Sequence, residues 1–225
     1  LLVSGGRDPS VILWNTEDGS RIRSLTHGAA VRDLAFSPDG SLLGVASEDG
    51  VLTIWNSADG TQAQQFRQSS SFFAVAFSPD GSEVAGAGDD LLVRRWRLSD
   101  GNALPSFSGH TDSIRGLAYS PDGIYMASSS LDNSARIWVV ASGEQLRSLR
   151  GHGSDVWTAT FSPDSSLLAT GGRDNSARVW TVETGSQVAE LDDFQGWVLG
   201  VAFGPAGDVL LTGAGDGTVR LWQVE

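Results

Sequence analysis

At 225 residues and 40% hydrophobic content the chain can build a sizeable core, and no run approaches the roughly 18 consecutive apolar residues of a membrane-spanning helix. A formal net charge of −12 opposes contact with phosphate backbones, and the absence of cysteine removes disulfides, thiol nucleophiles and thiolate metal ligands together. All 15 basic residues are Arg; Arg codons are GC-rich and Lys codons are not, which points to a GC-rich, bacterial genome.

Two landmarks recur in step along the whole chain. Trp14, Trp55, Trp96, Trp138, Trp180 and Trp222 are spaced by 41 or 42 residues. Between them recur the turns 36-FSPDG-40, 77-FSPDG-81, 119-YSPDG-123, 161-FSPDS-165 and 203-FGPAG-207. A shared period of this length marks internal repetition, and one array over residues 1–225 replaces any division into separate domains.

Within a repeat the elements follow in order. Residues 114–120 are short and apolar and predict a strand, and 121-PDG-123 reverses the chain. A second strand is expected at 124–130, a turn at 131-LDN-133, a third strand at 134–140 ending near the periodic Trp, and a more polar fourth at 145–150. Turn signals every 8–12 residues with no helical periodicity indicate an all-β fold. The gradient from apolar first strand to polar fourth fits a sheet buried at one edge and wetted at the other.

With its GH dipeptides at 109–110 and 151–152, its SPDG-like turns, an S/T-x-x-x-D pattern before the third strands and its periodic Trp, the chain resembles the WD-repeat β-propellers. The namesake Trp-Asp pair never appears, because each periodic Trp is followed by Asn, Arg, Val, Thr or Gln. The resemblance implies a propeller of four-stranded antiparallel blades, six wholly or partly present with 22 strands, and partial blades at 1–26 and 198–225. The incomplete ends are expected to mark a fragment of a ring of seven or more blades; a six-bladed ring with two incomplete blades is the alternative. The native N-terminus, any targeting segment and any attached domain then lie outside the sequence.

The resemblance also implies a hydrogen-bonded structural set in each blade: His110, Ser128, Asp132 and Trp138, and His152, Thr170, Asp174 and Trp180. Other repeats are degraded, with Val45 in one hydroxyl slot and Gln68 with Gly86 in another repeat. Ser, His and Asp together invite a hydrolase reading, but a catalytic site occurs once and this set recurs with a Trp in each case. No catalytic residue, metal site or cofactor is expected.

Trp157 and Trp197 fall outside the period. Counting four residues back from the Phe or Tyr that ends each first strand gives Arg32, Phe73, Arg115, Trp157 and Leu199. The residue before each turn Asp gives Arg7, Glu48, Asp89, Leu131, Arg173 and Gly215. In the propeller family both rows lie on the rim around the channel mouth, where partners dock. They vary while the scaffold repeats, so the ten residues of the rows other than Gly215 are the expected partner-binding set. Trp157 is expected to face solvent as an anchor between Arg115 and Arg173, and Trp197 to wedge between blades. Arg94, Arg136, Arg178 and Arg220 are expected to be solvated or inter-blade stems.

The resulting expectation is a non-enzymatic scaffold for proteins or peptides, with no nucleic acid, membrane or small-molecule substrate as partner and a cytoplasmic location. The alternative is a sensory or regulatory propeller within a larger protein such as a kinase or NTPase.

Overall fold

The computed structural model describes residues 1–224; Glu225, the last residue of the expected terminal partial blade, lies outside the described residues. The described chain is all-β, with 22 strands in six antiparallel sheets. The first sheet holds β1 (Leu2–Gly5), β2 (Ser10–Trp14) and β3 (Arg21–Thr26). The second holds β4 (Val31–Phe36), β5 (Leu42–Ser47), β6 (Val51–Asn56) and β7 (Gln62–Arg67). The third holds β8 (Phe72–Phe77), β9 (Glu83–Gly88), β10 (Leu92–Arg97) and β11 (Ala103–Ser108). Then come β12 (Ile114–Tyr119), β13 (Tyr125–Ser130), β14 (Ser134–Val139) and β15 (Gln145–Arg150), and β16 (Val156–Phe161), β17 (Leu167–Gly172), β18 (Ala177–Thr181) and β19 (Gln187–Leu191). The last sheet holds β20 (Val198–Phe203), β21 (Val209–Ala214) and β22 (Val219–Gln223). The strand order within each sheet is the sequence order, so every connection inside a sheet is a hairpin.

The chain divides into two compact units, one comprising Leu1–Asp90 with Arg94–Leu104 and the other Leu91–Val93 with Pro105–Glu225. In the first, Val11, Leu13, Leu25, Val31, Leu43 and Val45 form one buried cluster and Leu52, Ile54, Phe72, Val75, Phe77 and Trp96 belong to a second. In the second unit Ile137, Leu149, Val156, Phe161, Leu168 and Trp180 are the centre of the largest cluster. Each cluster joins consecutive sheets face to face. Four of the outermost strands, β3, β7, β11 and β15, contribute one large side chain each, Leu25, Phe66, Phe107 and Leu149, all nearly sealed. Their other residues are mostly polar and mostly exposed, which accounts for the gradient visible in the sequence.

Two local devices fix the hairpins. In the turn after β4, the Ser37 hydroxyl donates to Asp39 (2.6 Å) and accepts from the Leu42 amide (2.9 Å), and the same arrangement follows β8 and β16. These bonds hold the Asp39 carboxyl down at about 2, chiefly through the Ser37 hydroxyl. In the turn between second and third strands, the residue after the Asp takes a left-handed conformation: Gly50, Leu91, Asn133, Asn175 and Gly217. Leu91, at φ 67°, is the costly one, since a Cβ in this region loses roughly 1–2 kcal/mol where Asn is tolerated. The Leu91→Asn variant should therefore gain about 0.5–1 kcal/mol of stability, read as a higher urea midpoint at unchanged slope.

One half-buried carboxylate lies between sheets. Asp33 of β4 accepts from the Val75 amide of β8 (2.8 Å) and from the Leu34 amide (2.9 Å). Burial outweighs those two bonds and raises its pKa from 3.8 to about 6. A carboxyl raised on folding supplies stability that is complete below its unfolded pKa and is lost as the pH rises through the folded one. Stability should fall by on the order of 2–3 kcal/mol from this group between about pH 4 and 6. Urea midpoints across that window should show the decline in the native protein and its absence in Asp33→Asn.

Candidate functional site

The expected polar set is assembled as a chain of donors in two sheets. The Trp138 indole N–H donates to Ser128 Oγ (2.9 Å), Ser128 Oγ lies 2.8 Å from His110 Nε2, and His110 Nδ1 lies 2.8 Å from Asp132. In the next sheet Trp180 donates to Thr170 (2.9 Å), Thr170 lies 2.8 Å from His152 Nε2, and His152 Nδ1 lies 3.0 Å from both Asp174 oxygens. An indole N–H can only donate, so the hydroxyl donates its own hydrogen bond to Nε2 and Nδ1–H donates to the carboxylate. Ser128 and Thr170 are fully buried. Their lone pairs receive the indole, and no substrate can reach them, which removes the hydrolase geometry. Burial alone would raise the Asp132 and Asp174 carboxyls, but the hydrogen bonds from His110 and His152, with backbone amides and Ser134 or Ser176, hold both well below the usual range.

The degraded repeats solve the same problem differently. Where Val45 replaces the hydroxyl, Trp55 donates directly to His27 Nε2 (3.1 Å). Where Gly86 stands, a Cβ would meet Phe72 at 2.9 Å, and Phe66 stacks on Trp96 at 4.6 Å. The four Arg residues before the periodic Trp are not simple solvated stems. Arg94, Arg136, Arg178 and Arg220 each face the turn Asp four residues back, from 2.6 Å at Asp90 to 4.0 Å at Asp132 and Asp174.

Asp174→Ala should cost about 1–3 kcal/mol for each buried donor it orphans, since His152, the Gly153 amide and Ser176 all bind that carboxylate. Asp90→Ala removes a carboxylate bound by the more exposed Arg94 and should cost less. The two denaturation midpoints compare the sites directly. For Asp174 and Asp132, whose carboxyls are lowered on folding, the stability is present above the ordinary carboxylate range and is lost as the pH falls through and below it.

The two rows expected to bind partners acquire a physical identity that the sequence does not show. The pairing of first with second strand slips between Val31 and Asp33, Phe72 and Ala74, Ile114 and Gly116, Val156 and Thr158, and Val198 and Gly200. The skipped residues are Arg32, Phe73, Arg115, Trp157 and Leu199. Each is a β-bulge residue, released from the ladder and re-aimed. The second row is tied to the first by a backbone bond two residues upstream. The amides of Glu48, Asp89, Leu131, Arg173 and Gly215 donate to the carbonyls of Ala30, Ser71, Ser113, Asp155 and Trp197 at 2.8–3.2 Å. Trp197 therefore occupies a turn position held elsewhere by Ala, Ser or Asp.

In the first unit Arg32 lies over Phe73, with Cζ 6.0 Å from the ring centroid, and binds Glu48 through Nε at 2.8 Å. Arg7 and Asp89 are exposed. In the second unit four side chains form a ladder. Arg115 Cζ is 5.5 Å from the Trp157 ring, Trp157 stacks on Trp197 at 6.1 Å and 18°, and Arg173 Cζ is 4.2 Å from the Trp197 ring. Arg173 also binds Asp155 (3.1 Å). Leu131 is half-buried and Leu199 is 52% exposed.

Both off-period tryptophans depart from expectation. Trp157 is half-buried rather than solvent-facing, because Trp197 covers it, and its enclosed indole N–H has no acceptor. Trp197 is not a wedge: it is 41% exposed, because its turn position points away from the core clusters. Phe194 fills the His slot in its place, packed on Trp222 at 5.7 Å.

Six consecutive antiparallel sheets with a recurring donor chain and a variable bulge row define a repeat scaffold. The sequence pattern of the WD domain, G-beta repeat family matches residues 19–56, 60–97, 101–139, 143–181 and 185–223, and the chain belongs to that family. Among curated proteins it is similar to the small ribosomal subunit protein RACK1z of Oryza sativa subsp. japonica, 37% identical over 51 residues, and to RACK1y of the same organism, 39% identical over 51 residues. Each match covers 23% of this chain and 15% of the relative. WD-repeat domains generally mediate protein–protein interaction. Among the described residues there is no cluster of three or more His, Cys, Asp or Glu that could hold a metal, and no helix long and apolar enough to cross a membrane.

Proposed function

We propose that this chain is a non-enzymatic interaction module that holds protein or peptide partners on its bulge-row edge, with the Arg115–Trp157–Trp197–Arg173 ladder as the principal contact. The observation that carries the reading is the Trp157–Trp197 stack. The repeat does not require either indole, since Arg32 and Arg115 fill the first position elsewhere and small or acidic residues fill the second. Two large aromatics at bulge and turn positions, flanked by guanidinium groups, are the residue types that dominate interface energetics. Their mutual support pre-organises them and lowers the ordering cost of binding.

A scaffold role for the fold and a binding role for the ladder separate under mutation. Trp138 is 2% exposed, and Trp138→Ala should cost about 3–5 kcal/mol, as expected for a packed core aromatic. Trp157→Ala and Trp197→Ala should each cost clearly less in thermal melts, while weakening partner capture by on the order of 2 kcal/mol. Affinity measurements on partners captured by the native chain check this: equal binding by native and Trp197→Ala protein would remove the ladder from the interface.

A further inference from the structure

We infer that the groove between the fifth and sixth sheets is a receptor for an arginine side chain of a partner protein. It is a second site, independent of the Trp157–Trp197 ladder.

Arg23, Gln64, Arg147 and Ala189 hold one repeated position in the outermost strands. Each stands opposite the third-strand residue just before the periodic Trp: Arg23 opposite Leu13, Gln64 opposite Ile54, Arg147 opposite Ile137 and Ala189 opposite Val179. In β11 the position is Pro105, two residues before Phe107 as Gln64 is before Phe66. Where the side chain is long and polar it crosses to the next sheet. Its donors reach backbone carbonyls in the turn beyond that sheet's third strand. Arg23 binds the carbonyls of Asp59 and of Ala58 (the latter at 3.3 Å), Gln64 that of Leu98 (2.6 Å), and Arg147 that of Glu183. The stems fit closely. A Cβ added at Gly60 would run into Cδ of Arg23, and one at Gly185 into Cδ of Arg147. The Nε atoms of Arg23 and Arg147 are sealed from solvent. Such a side chain covers apolar surface with its methylenes and delivers its polar head to the rim.

In the fifth sheet this position is Ala189, which ends at Cβ. A groove of about 520 Å³ lies there, lined by Val179, Ala189, Leu191, Leu210, Trp222 and Val224 with Thr181 and Gln223 among its polar residues. The acceptor is retained. Val224 holds the place of Leu98: its amide donates to Asp208 (2.8 Å) as that of Leu98 donates to Ser82 (2.9 Å). The carbonyl at that place is the one Gln64 binds in the other unit. The groove therefore keeps apolar walls and a rim carbonyl but has lost the side chain that satisfies both elsewhere.

An arginine from a partner restores both contacts at once. A purely apolar side chain would leave the carbonyl unmet, and a carboxylate would face it as a second acceptor. Among the described residues no charged side chain lines the groove, so an incoming guanidinium meets no like charge. The net charge of −12 favours the approach of a cation.

The test is by NMR on the nitrogen-15-labelled whole chain, titrated with the acetylated and amidated peptide Gly-Gly-Arg-Gly-Gly and with the same peptide carrying Leu or Glu in place of Arg. The reporters are the Trp222 indole N–H, bonded to Thr212 at 2.9 Å, and the Val224 amide; the Trp157 and Trp197 indoles report on the ladder. The Arg peptide should shift Trp222 and Val224 saturably with Kd on the order of 1 mM, as suits one small side chain. The Leu and Glu peptides should bind at least about tenfold more weakly, the loss expected when a charge-assisted hydrogen bond goes unmade. Ala189→Arg supplies the side chain from within and should abolish the shifts at an unchanged or raised urea midpoint. Ala189→Ser leaves the groove open and should bind as the native chain does. Should Ala189→Arg fail to fold, Ala189→Leu fills the apolar part of the groove and carries the same comparison. Equal binding of the Leu peptide would overturn the preference for arginine. The absence of a saturable shift at Trp222, or shifts that persist when position 189 is filled, would overturn the site. Shifts confined to Trp157 and Trp197 would overturn it as well, while leaving the docking role of the ladder standing.

Discussion

A buried indole N–H is costly without an acceptor, and much of each repeat is arranged around that need at its periodic Trp. A Trp near the end of a third strand faces the second strand of its own sheet, and what stands there sets the rest of the repeat. Ser4, Ser128, Thr170 and Thr212 accept the bond at 2.8–2.9 Å. Two of these hydroxyls pass the polarity on through His110 and His152 to a turn carboxylate. The turn carboxylate in its place orders the hairpin that begins the third strand, through Ser134 or Ser176. Side-chain satisfaction in the interior and backbone geometry at the surface are thus one network, and a buried network is worth having only when complete.

The degraded repeats show how far the constraint bends. Losing the hydroxyl at Val45 lets the imidazole of His27 accept the indole bond directly. Losing it at Gly86 admits the larger Phe72, so that ring packing takes over. In the last sheet Phe194 replaces the imidazole, yet Asp216 still accepts from the Gln195 amide (3.0 Å) and Arg220 lies over the phenyl ring. The turn carboxylate outlasts its imidazole partner because backbone amides need it as well.

The periodic landmarks made the strands legible: the boundaries expected within residues 114–150 agree with the structure to within a residue at each end. The polar sets His110–Ser128–Asp132 and His152–Thr170–Asp174 were legible for the same reason. What the sequence did not reveal is the register slip at the first strands. A bulge changes which residue faces which without changing composition, so Arg32, Phe73, Arg115, Trp157 and Leu199 could be picked out by their variability but not by their mechanism. The Trp157–Trp197 stack was hidden more deeply. It joins a bulge residue of one sheet to a turn residue of the next, positions that no alignment of repeats superposes. The pairing of Arg178 with Glu190, 2.6 Å away on the adjacent strand, is likewise a cross-strand contact.

The matched sequence repeats do not coincide with the sheets. Residues 19–56 contain β3, the outermost strand of the first sheet, followed by the first three strands of the second, and the stagger continues through residues 185–223. Every repeat is therefore covalently woven into two sheets, as a brick overlaps the joint beneath it. A gene that gained or lost one such unit would join a fourth strand to a new neighbour and leave no hairpin cut open, because the seam of the duplication never falls on the seam of the fold. Length could then change in whole steps while each periodic Trp kept its place against the second strand of its own sheet, and the bulge positions would be free to diverge in every new copy.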